Sequence, residues 1–279
     1  MENESIKKPR TAAAIATRWG IRTPEQRWYI KVTSIINFVA LLGWATVEMV
    51  NYYLDQSKRD WPAKMVQEKW LISKLALIDG RPATILVLTH KAQRAVRESH
   101  PSIGRRIDKE ASRQSRHDFI ASWVALWLLK TRQDLKIEQG KITIWADRVL
   151  RGFMQDESTR PDISMMIDGE VLLNIEVERT RKTNALENYQ FFKKLEHFKN
   201  DGIETFIVFE RRAQALKFIE ELQRAKHYGL TPWFRNAESR KWYEVKNHER
   251  EIFHLEIFIG VWNYDKKIID EIFFASGSD

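Results

Sequence analysis

Residues 160–182 read RPDISMMIDGEVLLNIEVERTRK, and this stretch predicts a β-hairpin that carries acidic side chains. Asp168 and Gly169 form the Asp-Gly pair that favours a tight turn, and apolar residues alternate with polar ones on both sides of it. Because successive side chains of a strand point to opposite faces, the pairing register decides whether acids on the two strands share a face.

The apolar residues favour one register of this hairpin. A strict two-residue turn would place Ile163 opposite Asn174 and would point Asp162 and Glu176 to opposite faces. One extra loop or bulge residue instead pairs Ile163 with Ile175, and Asp162 then lies opposite Glu176 on the other face. The further apolar pairs of this register are Met165 with Leu173 and Ile167 with Val171.

Two carboxylates that face each other across a hairpin repel unless a cation or a shared proton lies between them. Oxygen ligands on rigid strands suit Mg²⁺ or Mn²⁺, and the chain has no cysteine to build a thiolate zinc site. The hairpin therefore predicts that Asp162 and Glu176 bind Mg²⁺ or Mn²⁺. The alternative is that both are ordinary solvated acids on an edge strand.

The spacing of these acids resembles a nuclease signature. Pro-Asp at 161–162 followed by Glu-Val-Glu at 176–178 resembles the PD-(D/E)xK motif, with Glu178 at the position that lysine usually occupies. An acid at this position with Thr180 after it is similar to one branch, the replication-relaxation proteins and the restriction-endonuclease-type relaxases that mobilise plasmids. The resemblance implies an α+β chain with an N-terminal winged helix-turn-helix followed by a PD-(D/E)xK-like restriction-endonuclease fold.

The same resemblance implies a divalent-metal-dependent DNA endonuclease or nickase that acts, like a relaxase, in plasmid or mobile-element DNA processing. Asp162 and Glu176 would bind the metal, with Asp118 as an outer ligand from the helix before the sheet. Glu178 would hold a second ion or orient the attacking water. A lysine from elsewhere must replace the missing one, and the candidates nearest in sequence are Lys182, Lys193 and Lys194.

Several alternatives for the chemistry stay open. His117 is a candidate proton shuttle because an ordinary histidine pKa lies near neutrality, although a lone histidine is more often structural. A relaxase could instead use a tyrosine nucleophile. The loss of the motif lysine favours a rival function, a catalytically inactive DNA-binding scaffold in a replication, transposition or mobilisation complex. The tyrosine candidates, each of which is otherwise a core aromatic, are Tyr29, Tyr52, Tyr53 and Tyr189.

The N-terminal pattern predicts three helices and a β-wing. Helices over 24–42, 45–54 and 63–75 precede two strands that meet at the Asp-Gly-Arg-Pro of 79–82, and a helix over 90–97 follows. In a winged helix the third helix enters the major groove of duplex DNA, whereas a protein-interaction winged helix is the alternative. The predicted DNA contacts here are Lys64, Gln67, Lys74 and, at the wing tip, Arg81.

The chain divides into four predicted segments: a basic arm at 1–24, the winged helix at 25–98, a basic linker at 99–116 and the nuclease-like domain at 117–279. The linker arginines Arg105 and Arg106 are expected to contact phosphates, and a solvated helical face is the alternative.

In the last segment, the pattern predicts a helix at 117–131, a strand at 141–150, the hairpin, a helix at 184–199, a strand at 205–209 and a helix at 214–226. This order matches a nuclease core and is also an ordinary α+β order.

Composition fits a nucleic-acid partner. At 279 residues with 43% apolar content the chain can bury a substantial core, and its formal charge of +8 favours a polyanion. The absence of cysteine, of a secretory signal and of a spanning segment predicts a cytoplasmic protein without a membrane partner. The expected partners are double-stranded DNA, single-stranded DNA at the nick, other DNA-processing proteins and a second copy of the chain.

Overall fold

The computed structural model describes residues 24–55, 61–78, 80–99, 115–137, 141–178 except 153, 155, 157 and 158, then 184–245 and 248–275. The chain is α+β, with helices packed around a mixed sheet. Residues 1–23 of the predicted arm lie outside the described ranges, as do Arg105, Arg106 and Lys182. Among the helices within those ranges, none combines the length and the apolar character needed to cross a bilayer.

The N-terminal unit has the element order helix, strand, helix, helix, strand, strand, helix. A three-stranded antiparallel sheet runs in the order β1-β3-β2. The side chain of Thr46 begins the second helix by accepting the N–H of Met49 at 3.2 Å. The bounds are α1 Pro24–Leu42, β1 Ala45–Thr46, α2 Val47–Tyr53, α3 Trp61–Gln67, β2 Leu71–Ile78, β3 Arg81–Leu88 and α4 His90–Ser99.

The third helix is shorter than predicted. Lys69 adopts a left-handed conformation with φ of +59°, its N–H binds the carbonyl of Val66, and the N–H of Trp70 binds the carbonyl of Met65. This pair of bonds is a Schellman cap, which ends a helix. The prediction that Lys74 lies on a recognition helix is therefore wrong: Lys74 lies on β2, opposite Ile85.

The larger sheet has six strands in the order β11-β10-β7-β6-β5-β4. Strands β6, β7 and β10 are parallel neighbours, while β4, β5 and β11 pair antiparallel. Its strands are β4 Thr143–Ala146, β5 Ile163–Ile167, β6 Glu170–Glu178, β7 Glu204–Phe209, β10 Ile257–Asn263 and β11 Ile268–Ala275. The helices are α5 Ser115–Thr131, α6 Gln133–Ile137, α7 Asp147–Leu150, α8 Ala185–Asn200 and α9 Arg212–Tyr228; β8 Trp233–Arg235 and β9 Trp242–Glu244 form a separate hairpin.

The six-stranded sheet separates two hydrophobic clusters. On one face, α5 packs with residues of the N-terminal unit, so one buried cluster runs from Ile35 through Val124 to Ile175. On the other face, α8 and α9 bury a cluster rich in phenylalanine around Phe192 and Phe198. Because α1 packs on β4, the first cluster crosses the boundary predicted between the winged helix and the nuclease-like segment. The predicted division into domains stays a prediction.

The central hairpin has the predicted register where the acids lie, and of the two predicted ways to reach it the structure has the bulge. Ile163 pairs with Ile175 and Met165 with Leu173, as predicted. The predicted pairing of Ile167 with Val171 is wrong, because Ile167 pairs with Glu170. The turn has only two residues, both with positive φ, and the extra residue is a bulge in β6 at Leu172.

Replacing Gly169 with valine should lower the free energy of unfolding by about 1–2 kcal/mol, because Gly169 has φ of +91° and a β-branched residue is strained there. Urea denaturation followed by circular dichroism measures the change. Asp168→Asn is the matched control: its φ of +50° suits asparagine, so the change should stay within about 0.5 kcal/mol. Equal stability of the two variants would contradict the strained turn.

Candidate functional site

The acids predicted from the hairpin lie together at one end of the sheet. Asp162 directly precedes β5, while Glu176 and Glu178 lie near the end of β6. Glu176 has only 3% of its surface exposed, although it is an acid in the interior of a sheet. Ile175 and Val177 point into the cluster beneath α5, so Glu176 faces the α8 side of the sheet.

Asp162 is held as an ionised carboxylate by three groups. Its Oδ2 lies 3.1 Å from Nε2 of His117 and accepts the N–H of Val177 at 2.7 Å. Burial alone would raise the pKa of Asp162, but His117, the nearby charge of Lys194 and the Val177 N–H together lower it.

Glu176 is paired with a lysine from the helix above it. Nζ of Lys194 on α8 lies 2.6 Å from Oε1 of Glu176, and both side chains are largely buried. Burial raises the pKa of Glu176 to about 8, and the carboxylates of Asp162 and Glu178 act in the same direction against the opposing charge of Lys194. For Lys194 the carboxylates outweigh burial, and its pKa is raised. Of the two predicted lysine candidates that the structure describes, Lys193 and Lys194, it is Lys194 that contacts an acid of the hairpin.

His117 joins two acids at the start of α5. Its Nδ1 lies 3.6 Å from Oδ1 of Asp118, on the opposite side of the ring from Asp162. Burial would lower the pKa of His117, but the two carboxylates raise it to about 10. The role of His117 as a proton shuttle stays a prediction, and the two carboxylates favour the charged form of its imidazole. Asp118 contacts this histidine, and its role as an outer metal ligand stays a prediction.

Two further contacts fix the backbone around the acids. The guanidinium of Arg116 donates to both carboxylate oxygens of Glu210, at 3.1 and 2.7 Å, and so attaches the start of α5 to the end of β7. The N–H of Asp147 donates to the carbonyl of Asp162 at 2.7 Å, and the Asp147 side chain binds buried Arg160. Arg116 therefore has a structural role that its predicted place in a basic linker did not indicate.

The other predicted catalytic residues have partners elsewhere. Lys193, the neighbour of Lys194 on α8, contacts Glu196 and Glu251 instead of the acids of the hairpin. The hydroxyl of Tyr189 donates to the same Glu251 at 2.7 Å, and burial and this carboxylate raise the pKa of Tyr189 to about 12. Tyr52 and Tyr53 pack into the N-terminal core, where burial raises the pKa of each, and Tyr29 is exposed on α1.

The predicted DNA contacts lie on two surfaces of the N-terminal unit. Gln67 ends α3 with an exposed side chain, while Lys74 and Arg81 are exposed on the β2-β3 hairpin. Nζ of Lys64 lies 4.1 Å from the ring centroid of Trp28, so an indole partly covers this cation.

The chemistry of the acid cluster fits a divalent cation. Its donors Asp162, Glu176 and Glu178 are carboxylates, which Mg²⁺ and Mn²⁺ prefer. An added cation would also favour the ionised form of Glu176, which burial and its acidic neighbours disfavour. In this conformation the acids contact His117 and Lys194, and among the described residues no three His, Cys, Asp or Glu side chains form a ready metal-binding group.

Replacing Lys194 with methionine should destabilise the fold by about 3 kcal/mol, because it leaves the buried Glu176 without its counter-charge. Thermal and urea unfolding measure the loss. Lys193→Met, one residue away on a half-exposed side chain, should cost less than about 1 kcal/mol. Adding Glu176→Gln to Lys194→Met should restore part of the loss. Additive effects of the two changes would mean that the pair does not interact.

Comparison of the chain with protein-family models, with curated protein sequences and with solved structures gives no match in any of the three.

Proposed function

We propose that the chain is a divalent-metal-dependent DNA endonuclease or nickase of the PD-(D/E)xK type, with a winged helix that holds duplex DNA. The observation that carries this proposal is the group of Asp162, Glu176 and Lys194: a partly buried acid and a buried acid of one hairpin, and a lysine from the next helix. The signature has Glu178 where the family has lysine, and Lys194 supplies a cation to the same acids.

The element order supports both halves of this proposal. The N-terminal unit has the element order of a winged helix-turn-helix: a helix, a strand, two helices and two antiparallel strands. Strands β2 and β3 would form the wing. The larger unit has a helix, three antiparallel strands, a helix and a parallel strand, which is the order expected of the nuclease core. Fold order alone does not fix function, so the chemistry depends on the acids.

In the proposed site the residues of the chain have distinct roles. Asp162 and Glu176 would hold Mg²⁺ or Mn²⁺, which supplies an activated water and neutralises charge on the scissile phosphate. The imidazolium of His117 keeps Asp162 ionised and oriented. Lys194, which contacts Glu176, would bind an oxygen of the scissile phosphate. Glu178 would orient water or hold a second ion, and Asp118 would act as an outer ligand through water.

A second candidate function has its own support. The acids are already paired with His117 and Lys194, and such a satisfied cluster can be purely structural. This favours a DNA-binding scaffold without catalysis in a replication, transposition or mobilisation complex. Both candidates place the chain on plasmid or mobile-element DNA in the cytoplasm, with other DNA-processing proteins or a second copy of the chain as further partners.

Asp162→Asn should slow nicking of supercoiled plasmid by about 100-fold or more, because it removes a carboxylate that stabilises transition-state charge through the metal. Nicked circles are counted on agarose gels with Mg²⁺, Mn²⁺ or EDTA. The matched control is Asp168→Asn, an exposed acid at the turn of the same hairpin, which should nick like the wild type.

DNA affinity of Asp162→Asn should stay close to that of the wild type, because binding depends on the basic N-terminal unit. If the wild-type protein leaves supercoiled plasmid intact with either metal at low salt, or if Asp162→Asn nicks at the wild-type rate, the scaffold is the better account.

Lys74→Ala and Arg81→Ala should each weaken duplex binding to a similar extent for any sequence, because both cations are exposed on the β2-β3 hairpin. Each should also reduce, by about 1, the steepness with which the logarithm of the DNA-binding constant falls with the logarithm of the salt concentration. Fluorescence anisotropy over a salt series measures both effects. Lys266→Ala, which removes an exposed lysine from the turn between β10 and β11, is the control. An unchanged salt slope in all three variants would exclude the wing from the DNA surface.

A further inference from the structure

A cavity of about 240 Å³ opens between α8 and α9, next to the acid cluster. Its apolar lining consists of the rings of Phe191, Phe209 and Phe218, each of which is more than nine-tenths buried. The centroid of Phe218 lies 5.8 Å from that of Phe191 and 5.4 Å from that of Phe209, so the three rings form one continuous aromatic surface. Glu178, an acid of the cluster, also lines this cavity.

Helix α8 connects the cavity to the catalytic cation of the proposed site. Asn188 and Phe191 line the cavity, and Lys194 contacts Glu176. Each step of three residues rises about 4.5 Å and turns about 60° around the helix, so Phe191 is the cavity residue that neighbours Lys194 on α8. Glu178, which lines the cavity and belongs to the acid cluster, makes the second connection between the two.

The polar lining narrows the chemistry of the ligand. The amide side chains of Asn188 and Gln214 offer both donors and acceptors, the combination that reads the edge of a nucleobase. Arg211 and Lys217 also line the cavity and suit phosphate groups, while the acids Glu178 and Glu221 balance their charge, so the rings and the amides carry the recognition. A volume of about 240 Å³ is below the roughly 300–1,000 Å³ of pockets for drug-sized molecules, so the cavity suits one planar ring.

We propose that this cavity receives one unstacked base of a single DNA strand whose backbone passes the acid cluster. This inference rests on the proposed function, since it assigns the strand next to the scissile phosphate to the α8 face. Aromatic surfaces bind bases of any sequence by stacking, and the amides add hydrogen bonds to the base edge. The site therefore selects single-stranded or locally opened DNA over intact duplex.

The test compares two fluorescent 20-mers, a mixed-sequence single strand and a strand of abasic residues, bound in EDTA so that no cleavage is required. Wild-type protein should bind the strand with bases about tenfold more tightly, as stacking on aromatic side chains predicts. Ala213→Leu fills the cavity from an exposed position in the first turn of α9. It should reduce the ratio of the two affinities, that for the strand with bases over that for the abasic strand, to near one. Gln214→Leu should reduce this ratio in part.

Gln223→Leu is the matched control, an exposed glutamine of the same helix outside this cavity, and should keep the wild-type ratio. Thermal melting confirms that each variant folds. A wild type that binds both strands equally or binds neither, or an Ala213→Leu variant that keeps the ratio, overturns the base cavity even if plasmid is nicked. Loss of the ratio in Ala213→Leu supports the cavity even if the wild type nicks nothing, in which case only the nuclease proposal fails.

Discussion

The site depends on keeping an ionisable side chain, Glu176, inside a six-stranded sheet. Burial raises the pKa of its carboxyl and so disfavours the charged form. Lys194, whose Nζ lies 2.6 Å from the carboxylate, lowers the same pKa. Such a pair is favourable only in good geometry, so α8 must be held at a fixed height above β6. The residues that hold it are apolar: Phe192, Leu195 and Phe198 project from α8 into the sheet with almost no exposed surface.

The acids lie where the two hydrophobic cores meet. Helix α5, on one face of the sheet, reaches Asp162 through His117, and α8, on the other face, reaches Glu176 through Lys194. The same α5 belongs to the cluster that includes the N-terminal unit. One helix, α5, therefore contacts both the core of the N-terminal unit and the acid cluster. In the function that we propose, this helix would link the unit that binds duplex DNA to the acids that cut it.

Local pairing could be predicted from the sequence, and contacts between helices and sheet could not. The apolar pairs Ile163–Ile175 and Met165–Leu173 identified the register. An extra residue in the turn and a bulge at Leu172 would both bring Asp162 opposite Glu176, so the apolar pattern could not show which of the two occurs. The end of α3 depends on the left-handed Lys69, which carries no glycine signal. Periodicity alone did not show which face of α8 would meet β6, and Lys193 and Lys194 were equal candidates. The cavity combines residues from four separate segments and left no signal in the sequence.

The energetic cost of the acid cluster is itself an argument about function. A sheet interior filled with apolar residues is commonly at least as stable as one that holds a buried ion pair. Burial instead raises the pKa of Glu176 to about 8, the pKa of Asp162 is lowered and that of His117 is raised, so the pKa values of three neighbouring groups depart from their ordinary range. Shifted pKa values of this kind are concentrated at functional sites. Glu178 belongs to this cluster and also lines the aromatic cavity, so the acids and the cavity in which we propose that a base binds are adjacent.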